Sequence, residues 1–378
     1  MDFDQEVLDI HSKLKGKVEI TAKKKIASMA DLSLVYTPGV AVACKAIVAE
    51  PKKVWDYTGK GNRVAIVTDG TAILGLGDIG PEAGLPVMEG KAMIFKEFAN
   101  IDAFPLCLKT KDTEEIINII KALEPSFAGI NLEDISAPRC FEIESRLRAE
   151  MNIPVFHDDQ HGTAIVVLAG LINATKVAGK KLEDLKIVVS GAGAAGTAIV
   201  KLLLESGVLD IVVVDSKGLL SKDRFDLNEV KTELASLTNH QNITGGLDEA
   251  VEGRDVFIGV SSGDLLTAKH IQSMATDSIV FALANPNPEI DPSLASSAGA
   301  LVVATGRSDY PNQINNALVF PGVFRGLLDG KIKNIDIAME VKVAKALASC
   351  VSDPNPHKII PEIFDEQVVP VVAKAVNN

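Results

Sequence analysis

The sequence is short of cysteine, of basic charge and of long apolar runs, and each shortage argues against a class of function. Four cysteines, Cys44, Cys107, Cys140 and Cys350, are scattered through 378 residues with no C-x-x-C pair. That speaks against a disulfide framework and a thiolate zinc site, and it fits reduced thiols in the cytoplasm. Lys and Arg total 38 against 50 Asp and Glu, a net charge of −12. So acidic a chain lacks the basic face that a nucleic-acid backbone needs and the polybasic patch of a membrane anchor. A small, locally positive site for an anionic substrate stays open. The longest apolar stretch, Ala164–Ala174, is too short to span a bilayer and contains Asn173. The acidic opening MDFDQEVLDI has no basic region followed by an apolar one, so it does not read as a signal peptide. No internal repeat or low-complexity segment is visible.

What is present is a globular composition, 47% hydrophobic and 23% charged. At roughly 100–200 residues per domain, the length predicts two domains or three. In the second half, β-branched runs alternate with helical patterns. Lys186–Gly191, Ile211–Ser216, Asp255–Ser262, Ser278–Pro286 and Ala300–Gly306 read as strands, and Thr197–Gly207 as a helix. Strands alternating with helices imply βαβ units and a mostly parallel, doubly wound sheet. The first half is mixed α/β. Arg63–Gly70, Phe127–Asp134 and Ile153–Asp159 read as strands. Asp112 and Glu115 announce a helix to Leu123, and Pro138 opens another to about Met151. The division expected is residues 1–150 as one domain, 151–162 as a connection, and 163–378 as a second domain. That second domain includes a helix from Thr163 to Lys176 and C-terminal helices from Ile335.

Gly191-Ala192-Gly193-Ala194-Ala195-Gly196 is a G-x-G-x-x-G turn between a strand and a helix, and Asp215 ends the next strand. That context makes it a dinucleotide fingerprint. Gly191 permits a tight turn, Gly193 lets backbone approach a pyrophosphate, and Gly196 allows close helix–strand packing. Helix N–H groups then face the phosphates. Asp215 would accept from the ribose hydroxyls and repel a 2′-phosphate, favouring NAD, while the neighbouring Lys217 keeps NADP open.

Two acidic pairs, Glu133-Asp134 and Asp158-Asp159, end consecutive strands. If those strands are neighbours, the carboxylates meet at one edge. Hard oxygen ligands without thiolate suit Mg2+ or Mn2+. Helix caps and solvated turns use such pairs as well. Adjacent strand residues face opposite ways, so both members of a pair can ligate only if the chain turns there. His157 and His161 read as flanking groups rather than zinc ligands.

Gly84–Ala99 places Lys91 at the start of an apolar helix, where partial burial near a metal would depress its pKa and suit it to act as a base. By spacing alone, the preferred readings are the plain ones, Lys91 as a surface lysine and Tyr36 of YTPGVA as a half-buried tyrosine. ANP, with Asn285, and NQINN, with Asn315, place amides at strand ends, where they bind carboxylates or carboxamides.

YTPGVA, ILGLGDIG, MEGKA, INLEDI, FHDDQHGTA, GAGAAG, FALANP and NQINNALVFPG, in that order over nearly the whole chain, resemble the short bacterial-type malic enzymes. The resemblance implies an N-terminal malic domain and a Rossmann-type NAD(P)-binding domain. It also implies oxidative decarboxylation of (S)-malate to pyruvate and CO2, with a divalent cation and in a homodimer whose N-terminal helix crosses to the partner. Carried over by motif, Tyr36 is the general acid and Lys91 the general base. Glu133, Asp134 and Asp159 hold the metal, and Asn285 and Asn315 contact malate alongside Lys91. Larger members carry an arginine just before ILGLGD for a substrate carboxylate; here the position is Ala72. Three rival readings are a malolactic conversion to lactate, a nucleotide-binding protein without catalysis, and a metal hydrolase built on HDDQH. The last leaves GAGAAG unexplained.

Overall fold

The computed structural model describes residues 2–73 and 75–377. Met1, Leu74 and Asn378, which touch the expected domain limits and the ILGLGDIG motif, lie outside the described residues.

Two parallel sheets form along the chain. The first contains β1 (Arg63–Thr68), β2 (Asp102–Cys107), β3 (Gly129–Leu132) and β4 (Val155–His157), in the order β2-β1-β3-β4. β1, β3 and β4 are near-continuous apolar runs because helices cover both faces. β2 was not visible in the sequence. It is a half-buried edge strand containing Pro105, and an edge position tolerates a residue without an N–H.

The second sheet contains β5 (Lys186–Ser190), β6 (Asp210–Asp215), β7 (Gly218–Leu219), β8 (Val256–Gly259), β9 (Ile279–Ala282) and β10 (Val302–Thr305). Its order is β10-β9-β8-β5-β6-β7, all parallel except the short β7. Numbered within the sheet, that is the 3-2-1-4-5-6 order of doubly wound dinucleotide folds, with the order reversing between β5 and β8.

The helix expected from Thr163 begins earlier, at Asp158, and runs to Val177. It starts at the end of β4 in the first sheet and packs against the Ala194–Glu205 and Ile337–Ser349 helices of the second half. The halves also meet through aromatic rings. Phe95 packs on Phe320 and Phe324, and Phe156 packs edge-on to Phe324. One apolar cluster therefore runs through both halves.

The N-terminal segment stands apart from this core. No residue from Asp2 to Gly59 is buried. Met29–Ala49, of mean hydropathy 1.7, has the length and composition of a membrane span. It is folded as two short helices, Met29–Val35 and Val40–Ala49, broken by the Tyr36–Gly39 turn.

Candidate active site

The site is built where β3 and β4 end. Their parallel register pairs Leu132 with His157, so Glu133-Asp134 and Asp158-Asp159 leave the sheet side by side. Asp134 takes a left-handed conformation, φ +52°. This is the turn that two adjacent acids need in order to serve one place. Its N–H donates to Asp159 Oδ2 at 2.7 Å, and its carbonyl accepts from Ala72 N at 3.0 Å.

Lys91 reaches this edge from a neighbouring helix. The sequence reading placed it at a helix start; instead it lies in the middle of the Pro81–Ala99 helix. Pro81 supplies the start, and Pro86 is accommodated inside. The ammonium donates to Asp158 Oδ2 at 2.5 Å, pairs with Glu133, and sits 4.5 Å from the centre of the Phe320 ring.

Without a cation beside it, the electrostatics of Lys91 run in the opposite sense to the lowering expected next to a metal. Burial works to lower the Lys91 pKa, but Asp158, Glu133 and Asp159 outweigh it and hold the ammonium above its ordinary value. Lys91 is therefore charged in this state rather than poised to accept a proton. Burial and repulsion from Asp159, Asp158 and Asp134 push Glu133 well above the usual carboxylate range, although Lys91 opposes them. Asp158 is also raised, by burial.

Asp159 behaves differently. Burial would raise it, yet the His157 ring, with Nε2 3.0 Å from Oδ2, brings it below its ordinary value. The His157 Nδ1 meets Gln160, which donates to Glu144. His161 bridges Glu144 and Glu340 at 2.9 and 2.8 Å. Both histidines thus serve carboxylates, as the sequence suggested.

Glu133, Asp158 and Asp159 crowd the Lys91 ammonium here. Glu133, Asp134 and Asp159 are hard oxygen donors, so the set suits a hard divalent cation in chemistry and in charge. Among the described residues, no three acid, histidine or cysteine side chains already converge as a cage.

The glycine turn faces a cleft of about 870 Å³. One wall is Ala137, Pro138 and Phe141, just beyond the acidic turn. Another is Gly191, Ala192 and Gly193, and Asp215, Lys217 and Lys231 line the far end. Gly191 has φ +118°. A Cβ on Gly196 would stand 1.8 Å from the Gly191 carbonyl oxygen, whereas a Cβ on Gly193 would meet no protein atom. Gly196 is therefore fixed by packing, and Gly193 keeps open the space a ligand would take. Ala194 and Ala195 open the following helix, Ala194–Glu205.

The Asp215 carboxylate is already engaged. Oδ1 accepts from Lys217 N at 2.9 Å and Arg224 Nη1 at 2.8 Å; Oδ2 accepts from Lys231 Nζ at 2.6 Å and Arg224 Nη2 at 3.3 Å.

Asn285 is exposed, and among the described residues its Nδ2 makes a long contact with the Leu283 carbonyl. The Gly75 backbone presses on its carbonyl, where a Cβ would come within 2.1 Å. Asn315 caps the Asn316–Leu318 turn through Ala317 N, and Asn316 lies against Gly162, one helical turn from Asp158. Tyr36 is not joined to this group. It is 65% exposed, and among the described residues its hydroxyl has no hydrogen-bond partner.

Three contributors were missed in the sequence. Asp158 was visible beside Asp159, but nothing in the spacing separated their roles. Phe320 gave no signal. Arg139 fastens the turn around Ala72 by donating to Asp69 at 2.8 Å and to Thr71 and Ser136 at 3.1 Å.

Comparison with known proteins accounts for both halves. Residues 15–148 match the family model described as malic enzyme, N-terminal domain, and residues 160–377 match malic enzyme, NAD binding domain. The chain is 55% identical over 379 residues to the bifunctional malic/malolactic enzyme of Bacillus subtilis (strain 168), covering 100% of this chain and 92% of that protein. It is 57% identical over 363 residues to the NAD-dependent malic enzyme of Geobacillus stearothermophilus, covering 96% and 76%. Among solved structures, the NAD-dependent malic enzyme of Thermotoga maritima superposes with a TM-score of 0.95 at 51% identity, over 98% of each chain.

Proposed function

The chain belongs to the malic enzyme family, and from that premise we propose a division of labour among its residues. The activity is the oxidative decarboxylation of malate to pyruvate and CO2 with reduction of a nicotinamide cofactor. We assign residues 1–150 to substrate and metal, 151–162 to the connection, and 163–378 to the cofactor.

The observation that supports the assignment is the buried Lys91–Asp158 pair, set among Glu133, Asp134 and Asp159, with Ala137 and Pro138, just past the acidic turn, walling the cleft that the glycine turn faces. Lys91 takes the proton of the malate C2 hydroxyl. Its proton is held by surrounding carboxylates, so loading Glu133, Asp134 and Asp159 with a cation removes the charge that keeps it there. Asp158, which hydrogen-bonds Nζ, fixes the direction of that transfer. Bound Mg2+ or Mn2+ supplies an electron sink for the charge that develops as CO2 leaves. Bound NAD, or NADP, supplies the hydride acceptor. Asn285 and Asn315 orient malate. Residues Gly191–Gly196 cradle the pyrophosphate, and Asp215 lies at the ribose end. Tyr36 returns a proton to C3 of the enolpyruvate.

Tyr36 sits on an N-terminal segment that buries none of its own residues. We propose that a second copy of the chain covers this segment, making a homodimer in which Tyr36 serves its partner's site. The four free cysteines support a reducing, cytoplasmic setting.

The test is a spectrophotometric assay with malate, each nicotinamide cofactor in turn, and EDTA. Malate-dependent release of reduced cofactor, abolished by EDTA and restored by Mg2+ or Mn2+, is expected. Conversion of malate to lactate without free NADH would favour the malolactic reading, which the name of the Bacillus relative keeps in view. Cofactor binding without any malate turnover would favour a binding protein. Sedimentation of the full chain as a monomer would remove the shared site.

A further inference from the structure

The second sheet encloses a carboxylate that the chemistry above leaves unused. Glu289 follows β9 and is 0% exposed, and among the described residues no cation pairs with it. Burying a lone carboxylate is unfavourable unless its lone pairs are occupied. Here backbone amides from two strand ends occupy them. Oε1 accepts from Ser261 N at 3.2 Å, just past β8, and Oε2 accepts from Ala284 N at 3.1 Å, just past β9. β8 ends at this point in Gly259, where a Cβ would stand 2.3 Å from the carboxylate. Backbone bonds join the same two loops further out: Asp264 N donates to the Pro288 carbonyl at 3.0 Å, and Leu266 N to the Glu289 carbonyl at 2.8 Å.

The two amides belong to segments with different duties. Ser261 lines the dinucleotide cleft beside Val260 and Ser262, and its hydroxyl meets that of Ser190, at the end of β5, at 3.1 Å. Ala284 immediately precedes Asn285, whose side-chain amide lies against Gly306. One carboxylate thus spans the step from the cofactor wall to the asparagine assigned to malate.

We propose that Glu289 is a positioning residue: bound to both amides at once, it holds Asn285 in register with the cofactor wall, so that malate meets the nicotinamide in the aligned pose that hydride transfer needs. It acts through the two loops and not on the reacting atoms. The inference rests on the assignment of Asn285 to malate and names the group behind that asparagine.

Burial pushes the Glu289 carboxyl up from 4.5 to about 7, against the Ala284, Glu289 and Ser261 N–H groups that pull it down. Charged groups on the neighbouring segments are engaged elsewhere or in solvent. Asp264, Lys269, Asp291 and Asp309 are exposed, Arg307 pairs with Asp309, and His270 pairs with Asp248. A protonated carboxyl turns one oxygen into a donor. One amide then loses its acceptor, and the tie loosens as pH falls through about 7.

Glu289→Gln is the test, because a side-chain amide keeps one acceptor oxygen and matches the protonated acid in shape and charge. The wild-type KM for malate should rise as pH falls through about 7. The variant should lack that step and show, on the alkaline side, a malate KM raised roughly tenfold, the effect of losing one hydrogen bond to a charged group. Dinucleotide affinity, read by calorimetric titration, should change less. Stability should move the opposite way. The unfolded chain releases this proton near 4.5 and the folded chain near 7, so the wild type loses stability between those values and does not regain it above them. On the alkaline side Glu289→Gln should therefore melt as high as the wild type or higher. Glu289→Asp keeps the charge but is one methylene short of spanning both amides, and it should raise the malate KM as well.

A malate KM equal to wild type in both variants would overturn the inference alone, provided Asn285→Ala still impairs malate. A Glu289→Gln protein that melts lower and loses malate and dinucleotide in proportion would also overturn it, by reducing the carboxylate to a structural support. A wild-type malate KM that is flat through pH 7, or a step that persists in Glu289→Gln, would remove its titration from the account and the inference with it. Normal malate KM in Asn285→Ala would overturn the assignment beneath, and the inference would fall with that assignment.

Discussion

Lys91 and Asp158 form a fully enclosed ion pair, Nζ to Oδ2 2.5 Å, with side chains 7% and 0% exposed. The partners come from the middle of one helix and the first residue of another. Removing one partner of such a pair leaves a buried charge uncompensated.

Lys91→Ala should therefore act in two ways. Turnover should fall by about two to four orders of magnitude, the usual reach of a positioned acid or base. The metal-free protein should also melt at a lower temperature, because Glu133 and Asp158 lose their counter-ion. Dinucleotide titration should stay close to wild type. Near-normal turnover would take Lys91 out of the base role.

Tyr36→Phe should slow protonation of the enol more than hydride transfer, read as a loss of pyruvate enolisation in a tritium-exchange assay. A shared site adds a sharper readout. Mixing Tyr36→Phe with Lys91→Ala protein under exchange conditions should recover activity that neither has alone, since some mixed dimers contain one intact site. A mixture no more active than its components would place both residues in one chain's site.

Gly193 and Gly196 should respond oppositely to alanine. Gly196→Ala forces a Cβ to 1.8 Å from the Gly191 carbonyl oxygen, so the melting temperature should fall with nucleotide binding. Gly193→Ala meets no protein atom, so the fold should be kept while the pyrophosphate is excluded. Thermal melts beside calorimetric titrations separate the two. Normal binding in Gly193→Ala would deny the turn its role.

His161 gives a pH signature. Burial would lower its pKa, but Glu144 and Glu340 push it up from 6.5 to about 10. A group raised in the folded state stabilises most where both states are protonated, below about pH 6.5, and that contribution fades as pH climbs through about 10. The effect is on the order of a few kcal/mol. Urea midpoints should fall over this range in the wild type and much less in His161→Gln. Parallel curves for the two proteins would rule out His161 as the source.

Much of this was legible because its signals are local. The apolar runs of β1, β3 and β4 and the glycine turn each depend on a few adjacent residues, and the Asp112 cap accepts from Glu115 N as the spacing indicated. The acidic pairs were legible as chemistry but not as geometry, since the left-handed Asp134 leaves no mark in the sequence. Lys91 was misplaced along its helix because the stretch was taken from Gly84 while the helix starts at Pro81, and its titration was inferred from a helix start, burial and a nearby metal without weighing the carboxylates. The sign depended on Asp158, 67 residues away. The Glu144–His161–Glu340 bridge joins helices from opposite halves of the chain, and no short-range pattern records it.

The helix from Asp158 to Val177 begins among the buried acids and packs against the dinucleotide half. Twenty residues of unbroken helix make a rod about 30 Å long. The halves cannot hinge within it; any opening of the cleft must swing about this rod as a fixed axle. Asp158 and Asp159 are thereby fixed at the head of the same rod that packs against the dinucleotide half, whereas Glu133 and Asp134 stay with the first sheet.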